Sequence, residues 1–177
     1  LIINKLKGYS VQRGSKVNIS LKDYYESLLN TNLYIVHRLD KDTTGLMIFA
    51  KHRIAASTIS KLFLNNKIHK FYIACTDNLF KKNSGFLNNT NDENKNLKLL
   101  FRRIHLNNST NTYLIKLLTG KKHQIRLQFF LNNNPIIGDK KFNSKSKFDL
   151  QLSSISINFL YEGKFYKFKL SLNQIFQ

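Results

Sequence analysis

The residue pattern predicts an α+β fold, with residues 1–177 forming one domain. Three observations point to it. The segments His69 to Cys75 and Ile155 to Leu170 alternate sides with a period of two, as strands do. Residues Leu21 to Leu29, and those from Ala55 to near Asn65, repeat apolar side chains at helical spacing. A chain of 177 residues that is 42% hydrophobic can bury one substantial core, with two small lobes as the alternative.

Taken in order, Leu1 to Lys5 is an apolar strand, and Gly8 to Lys16 a glycine-containing loop. Ser20 followed by Asp23 reads as a helix N-cap, and Leu21, Tyr24, Leu28 and Leu29 place a helix behind it. Two apolar runs, Leu33 to Val36 and Leu46 to Ala50, then flank the polar insert His37 to Gly45. Short apolar runs bounded by turn residues predict two strands with a loop between them. Asp40 therefore sits on a loop held by buried strands, where a carboxylate is fixed yet open to a substrate. The other account of Asp40 and Asp42 is that they only shape the turn.

After Lys51, the residues Ala55, Ile59, Leu62 and Phe63 predict a second helix ending near Asn65. The strand His69 to Cys75 follows, with Phe71, Ile73 and Cys75 on one side and Tyr72 and Ala74 on the other. Residues 78–96 carry six asparagines between Asn83 and Asn96 and little apolar content, which predicts a flexible, solvated loop. Lys98 to Ile104 and Thr112 to Leu118 read as strands, with a hairpin turn over Leu106 to Asn111. Near residue 125 a short helix is predicted. It places Ile125 and Phe129 on one face and His123 and Arg126 on another. The tail folds back around Glu162-Gly163 as a terminal hairpin.

The formal charge of +19 and a pI near 10.1 permit nucleic-acid binding. Of 29 basic residues 23 are lysine, however, a bias that an AT-rich genome also produces. No apolar run approaches the roughly 20 residues of a bilayer span, and no secretory signal is visible, so a cytoplasmic protein is expected. The first residue is Leu1, which suggests that an N-terminal portion is missing. The lone Cys75 excludes an intrachain disulfide framework and a multi-cysteine zinc site.

The string His37 to Lys51, HRLDKDTTGLMIFAK, resembles the signature of the RluA-type RNA pseudouridine synthases, with Thr44 where the family usually has serine. Lys70 and Tyr72 resemble the family's second motif, and Thr119 to Arg126, TGKKHQIR, its third. Weaker likenesses are Asn4 to Val11, with Leu6 replacing a proline, and Pro135 to Phe142, with Phe142 replacing a tyrosine. Leu150-Gln151-Leu152 departs from the family's Leu-His-Ala. Val11 to Lys16 is most similar to the RluC-like branch, which acts on large-subunit ribosomal RNA.

The resemblance implies a mixed, largely antiparallel central sheet with flanking helices and a central active-site cleft. It also implies isomerisation of specific uridines to pseudouridine by a monomer, with no cofactor and no metal. Asp40 would act at the sugar, Tyr72 would stack on the extruded base, and Arg126 would pair with Asp40 and keep it ionised. His37, Arg38, Lys5, Lys41, Lys121 and Lys122 lie in or near the motif loops and are candidate RNA contacts, with loop support an equal role for His37. Transfer RNA as substrate, or an inert RNA-binding or ribosome-assembly module, are the competing expectations.

Overall fold

Strand β3, Thr44–Ala50, has all seven residues buried, and it is the strand around which two cores form. Such a strand reads as a continuous apolar run because both of its faces are covered. Met47 and Phe49 enter one core with Tyr72, Tyr113 and Phe129. Leu46, Ile48 and Ala50 enter a second one with Ile59, Ile157 and Phe159. The structure is a computed structural model that describes residues 1–14, 18–104, 110–142 and 147–176.

The remaining elements follow in chain order. They are β1 (Ile2–Lys5), α1 (Leu21–Leu29), β2 (Tyr34–Ile35), β3, α2 (Arg53–Leu64), β4 (His69–Thr76), β5 (Ser84–Thr90) and β6 (Asn96–Ile104), then β7 (Asn111–Leu117), α3 (Gln124–Leu131), β8 (Leu152–Tyr161) and β9 (Lys164–Lys169). They form one mixed sheet ordered β1-β3-β8-β4-β7-β6-β5, with β2 added to β3 and β9 to β8. All pairings are antiparallel except β3 with β8, which run parallel at Thr44↔Ser153 and Gly45↔Ser154.

The first two expected helices form, and α1 is capped at both ends. Ser20 and Asp23 form a capping box at the start of α1, and Asn30, at φ 44°, closes it in the left-handed region. Asn65 caps α2. The terminal hairpin turns at Glu162 (φ 48°) and Gly163 (φ 73°), the paired positive dihedrals that a two-residue hairpin turn needs.

Residues 78–96 are a correction. They contain β5, paired antiparallel with β6 from Ser84↔Arg102 to Thr90↔Asn96. This is an edge strand, and only Leu87 of its seven residues is buried; Asn88 faces solvent, while Asn89 accepts a hydrogen bond from the buried Gln128 Nε2 at 3.0 Å. Ahead of it, Phe80 anchors the segment. Its ring stacks on Phe101 at 4.4 Å and meets Tyr113 and Phe129 edge-on at 5.1 Å. Most of the turn expected over Leu106 to Asn111 lies outside the described residues.

Candidate active site

The segment after β2 leaves the sheet and returns as β3, and Asp40 stands on it. Its carbonyl accepts a hydrogen bond from Thr43 N at 3.2 Å, which closes the turn. Gly45 (φ 105°) lets the turn rejoin the sheet. A Cβ at that position would lie 2.2 Å from the carbonyl oxygen of Ser154, so only glycine fits. The far side of the turn is held by Lys5. This lysine is 1% exposed, and its Nζ donates to the carbonyls of Leu6 (2.9 Å) and Lys41 (2.7 Å). Burial pushes its pKa down to about 8, against the opposing pull of Asp42 and Asp40. Lys5 is thus a clamp inside the protein and is not available to an RNA phosphate, contrary to the sequence-based expectation.

His37 is also turned inward. Its Nε2 accepts a hydrogen bond from Ile48 N at 2.9 Å, and its ring stacks on Phe63 at 4.3 Å. Burial, with Lys70 nearby, lowers its pKa to about 3, so at neutral pH it is an uncharged brace for the loop. Of its two expected roles, the geometry favours loop support.

Arg126 reaches Asp40 from α3, its Nη1 donating to Oδ2 at 3.2 Å. The stronger partner is one that motif spacing did not assign. Asp139, 1% exposed, takes two hydrogen bonds from the guanidinium, from Nε at 2.8 Å and Nη2 at 2.7 Å. Asp139 is oriented in turn by the backbone N–H groups of Lys141 and Phe142. The ring of Phe142 lies 5.6 Å from the guanidinium carbon, a cation–π contact that needs no tyrosine hydroxyl. Against the cost of burial, Asp139 and Asp40 raise the Arg126 pKa and hold it cationic. One planar fork therefore uses its Nε–Nη2 edge on a fixed carboxylate and presents its last nitrogen, Nη1, to Asp40.

His123 precedes α3 at φ 53°, outside the helix where the periodicity had placed it. Its Nδ1 lies 2.9 Å from Lys141 Nζ. An ammonium can only donate, so Nδ1 accepts, and the proton of the neutral ring sits on Nε2. That nitrogen faces Asp40 Oδ1 at 3.6 Å, and burial lowers the ring's pKa against the pull of Asp40. The loop before α3 is tied down by Gln124, whose Oε1 accepts from Thr119 Oγ1 and Lys121 N while its Nε2 donates to Lys98 O.

Asp40, Arg126 and His123 stand where two lobes of a groove meet. The first, about 460 Å³, runs past Tyr72, Phe63, Lys70 and Gly120; the second, about 380 Å³, runs past Ser10 to Gln12 and Asp42. Tyr72 is 7% exposed and presents its ring as a wall of the first lobe. Burial raises its pKa, so the phenol stays protonated at neutral pH. Arg38 and Lys122 are exposed and border both lobes, Lys121 borders the first and Lys41 the second. Among the described residues no group of three or more His, Cys, Asp or Glu side chains could hold a metal ion. No helix among them is long and apolar enough to cross a membrane.

Residues 1–130 match the family described as RNA pseudouridylate synthase. An uncharacterized RNA pseudouridine synthase of Mycoplasma capricolum is 32% identical over 90% of this chain and 62% of its own length. A protein named ribosomal large subunit pseudouridine synthase C from Buchnera aphidicola of Schizaphis graminum is 32% identical over 91% of this chain and 60% of its own. One of the same name from Rickettsia bellii is 29% identical over 81% and 54%. The chain thus spans a little over half the length of these curated relatives. Two solved human structures, RNA pseudouridylate synthase domain containing 1 and 4, superpose with a TM-score of 0.78 at 14% and 21% identity. They cover 96% and 99% of this chain and 79% and 86% of theirs, a likeness of fold.

Proposed function

Because the chain belongs to the RNA pseudouridylate synthase family, we propose that it converts uridine to pseudouridine in RNA, with Asp40 as the carboxylate that acts on the sugar. The observation that supports this most is the placement of Asp40. It sits at the junction of the two lobes, 3.2 Å from an arginine that a second carboxylate holds still.

The target uridine leaves its stack, at a cost of a few kcal/mol, and enters the first lobe. Stacking on the Tyr72 ring offsets this by about 1–3 kcal/mol. Asp40 acts at C1′, either bonding to that carbon or taking a neighbouring sugar proton, and the N1–C1′ bond breaks. The base turns and C5 bonds to C1′ as the Asp40–C1′ bond breaks or, on the other route, as the borrowed proton returns to the sugar; the C5 proton then leaves to solvent, and N1 gains a proton. The reaction balances without a cofactor or co-reactant. Arg126 keeps Asp40 ionised and directed. The protonated Tyr72 serves as a stacking surface and a hydrogen-bond donor.

Large-subunit ribosomal RNA in the cytoplasm is the substrate we favour, on the names of the bacterial relatives and on a cationic rim of Arg38, Lys41, Lys121 and Lys122. The protein acts on it as a monomer in this reading. The test is tritium release from a large-subunit ribosomal RNA transcript labelled at uridine C5, with the native protein beside Asp40→Asn. Release by the native protein alone is the expected result. Salt-sensitive binding without release from either would instead fit an inert RNA-binding module.

A further inference from the structure

Lys70 is a buried cation with no anionic partner among the described residues. It lies on β4 two residues before Tyr72, is 8% exposed, and borders the first lobe of the groove. Among the described residues its ammonium has no hydrogen-bond or ion-pair partner, and it lies over the face of Phe63, 5.9 Å from the ring centre. Burial lowers its pKa with no neighbouring carboxylate to offset it. A buried charge left unpaired costs stability, and its persistence in a groove suggests that the partner arrives with the substrate.

Gly120 supplies the second observation. It is not among the residues with positive φ, so its backbone does not call for glycine. A Cβ at that position would, however, come within 2.8 Å of Lys70 Nζ. The bare Cα leaves the ammonium open to the groove, with the exposed Lys121 and Lys122 next along the wall. Lys70 also stands about 7 Å along the strand from Tyr72, beside a stacked base and not over it.

We propose that Lys70, framed by Phe63 and the bare Gly120, binds a backbone phosphate of the nucleotide flanking the extruded uridine. This rests on the isomerase reading above. A phosphate would supply the missing anion, and the ammonium would set the strand's register while Tyr72 takes the base.

The test measures binding of the large-subunit ribosomal RNA transcript across a potassium chloride series, with tritium release and thermal melting, for the native protein, Lys70→Met and Gly120→Ala. Both variants should flatten the salt dependence of log K by about 0.7, the share of one phosphate on a single strand. They should also raise KM by about tenfold or more, as expected for a lost hydrogen bond to a charged group, and leave kcat unchanged. Lys70→Met should melt higher than the native protein, because an unpaired buried cation has been replaced by a thioether of similar length. An unchanged salt slope overturns the proposal. So does a fall in kcat at saturating RNA, which would put the ammonium on the reacting base, or a lower melting temperature with a native slope, which would make Lys70 a structural prop. If no protein releases tritium but the binding differences appear, the isomerase reading fails and the phosphate site stands.

Discussion

Replacing Asp139 with asparagine keeps the size of the side chain and removes the charge that holds Arg126. In the native site Asp139 is fully buried, and it takes both of the shorter bonds from the guanidinium, while Asp40 takes the longer one. The variant keeps one good acceptor and turns the other into a donor facing a cation. Breaking a buried pair from one side typically costs about 3–5 kcal/mol, and the retained amide oxygen should bring this near the lower end, about 3 kcal/mol. Freed from its bidentate anchor, the fork shifts against Asp40, and a misplacement of about 1 Å costs on the order of a hundredfold in rate. Urea denaturation and single-turnover tritium release measure the two effects separately. The expected outcome is a midpoint shift worth about 3 kcal/mol together with a rate constant down about a hundredfold. A destabilised variant whose rate stays within about threefold of native would refute the claim that Asp139 aims Arg126 at the reacting carboxylate.

Acid should weaken the fold through His37. Its folded pKa of about 3 lies below the ordinary histidine value of 6.5, so stability is intact above pH 6.5 and is lost as pH falls towards 3, because the unfolded chain takes up a proton that the folded one refuses. At pH 5 the loss should reach up to about 2 kcal/mol in urea titrations, and His37→Gln should abolish that part of the slope. Tyr72→Phe should keep native RNA affinity, whereas Tyr72→Ala should lose the stacking, weaken binding by about tenfold or more, and destabilise the core by about 3–5 kcal/mol. A Tyr72→Phe variant with the affinity of Tyr72→Ala would show that the hydroxyl, not the ring, holds the base. Gly45→Ala should unfold the protein or cost more than about 4 kcal/mol by circular dichroism, since no movable side chain stands opposite to yield.

How far the residues alone foretell this molecule depends on what each position needs. The helices α1 and α2 were legible because caps and periodicity are local: Ser20, Asp23 and Asn65 mark their ends without reference to the rest of the chain. The hairpin at Glu162-Gly163 was legible for the same reason. Strand β5 was not, since an edge strand can survive with Leu87 as its one buried residue and Asn89 tied inward to Gln128, and composition then looks like a loop. The pairing of Arg126 with Asp40 followed from motif resemblance, but its anchor on Asp139 did not, because it depends on how the chain turns at Gly138. Lys5 and Lys70 were hidden by their type. In a chain with so many lysines nothing local separates a buried ammonium from a solvated one.

The place of β8 in the sheet governs when the groove can exist at all. This late strand lies between β3 and β4, and the threonine that starts β3 leans on a carbonyl 108 residues further along, at Leu152. During synthesis, a growing chain that has not yet emerged beyond about Tyr161 therefore holds β3 and β4 as two unsatisfied edges, with the Asp40 turn braced from the Lys5 side but not where Thr44 and Gly45 join β8. Until then the emerging protein is an aggregation hazard, and its late, long-range closure is the kind of step that slows folding. The same arrangement withholds the groove around Asp40 until β8 has been made and has docked between β3 and β4.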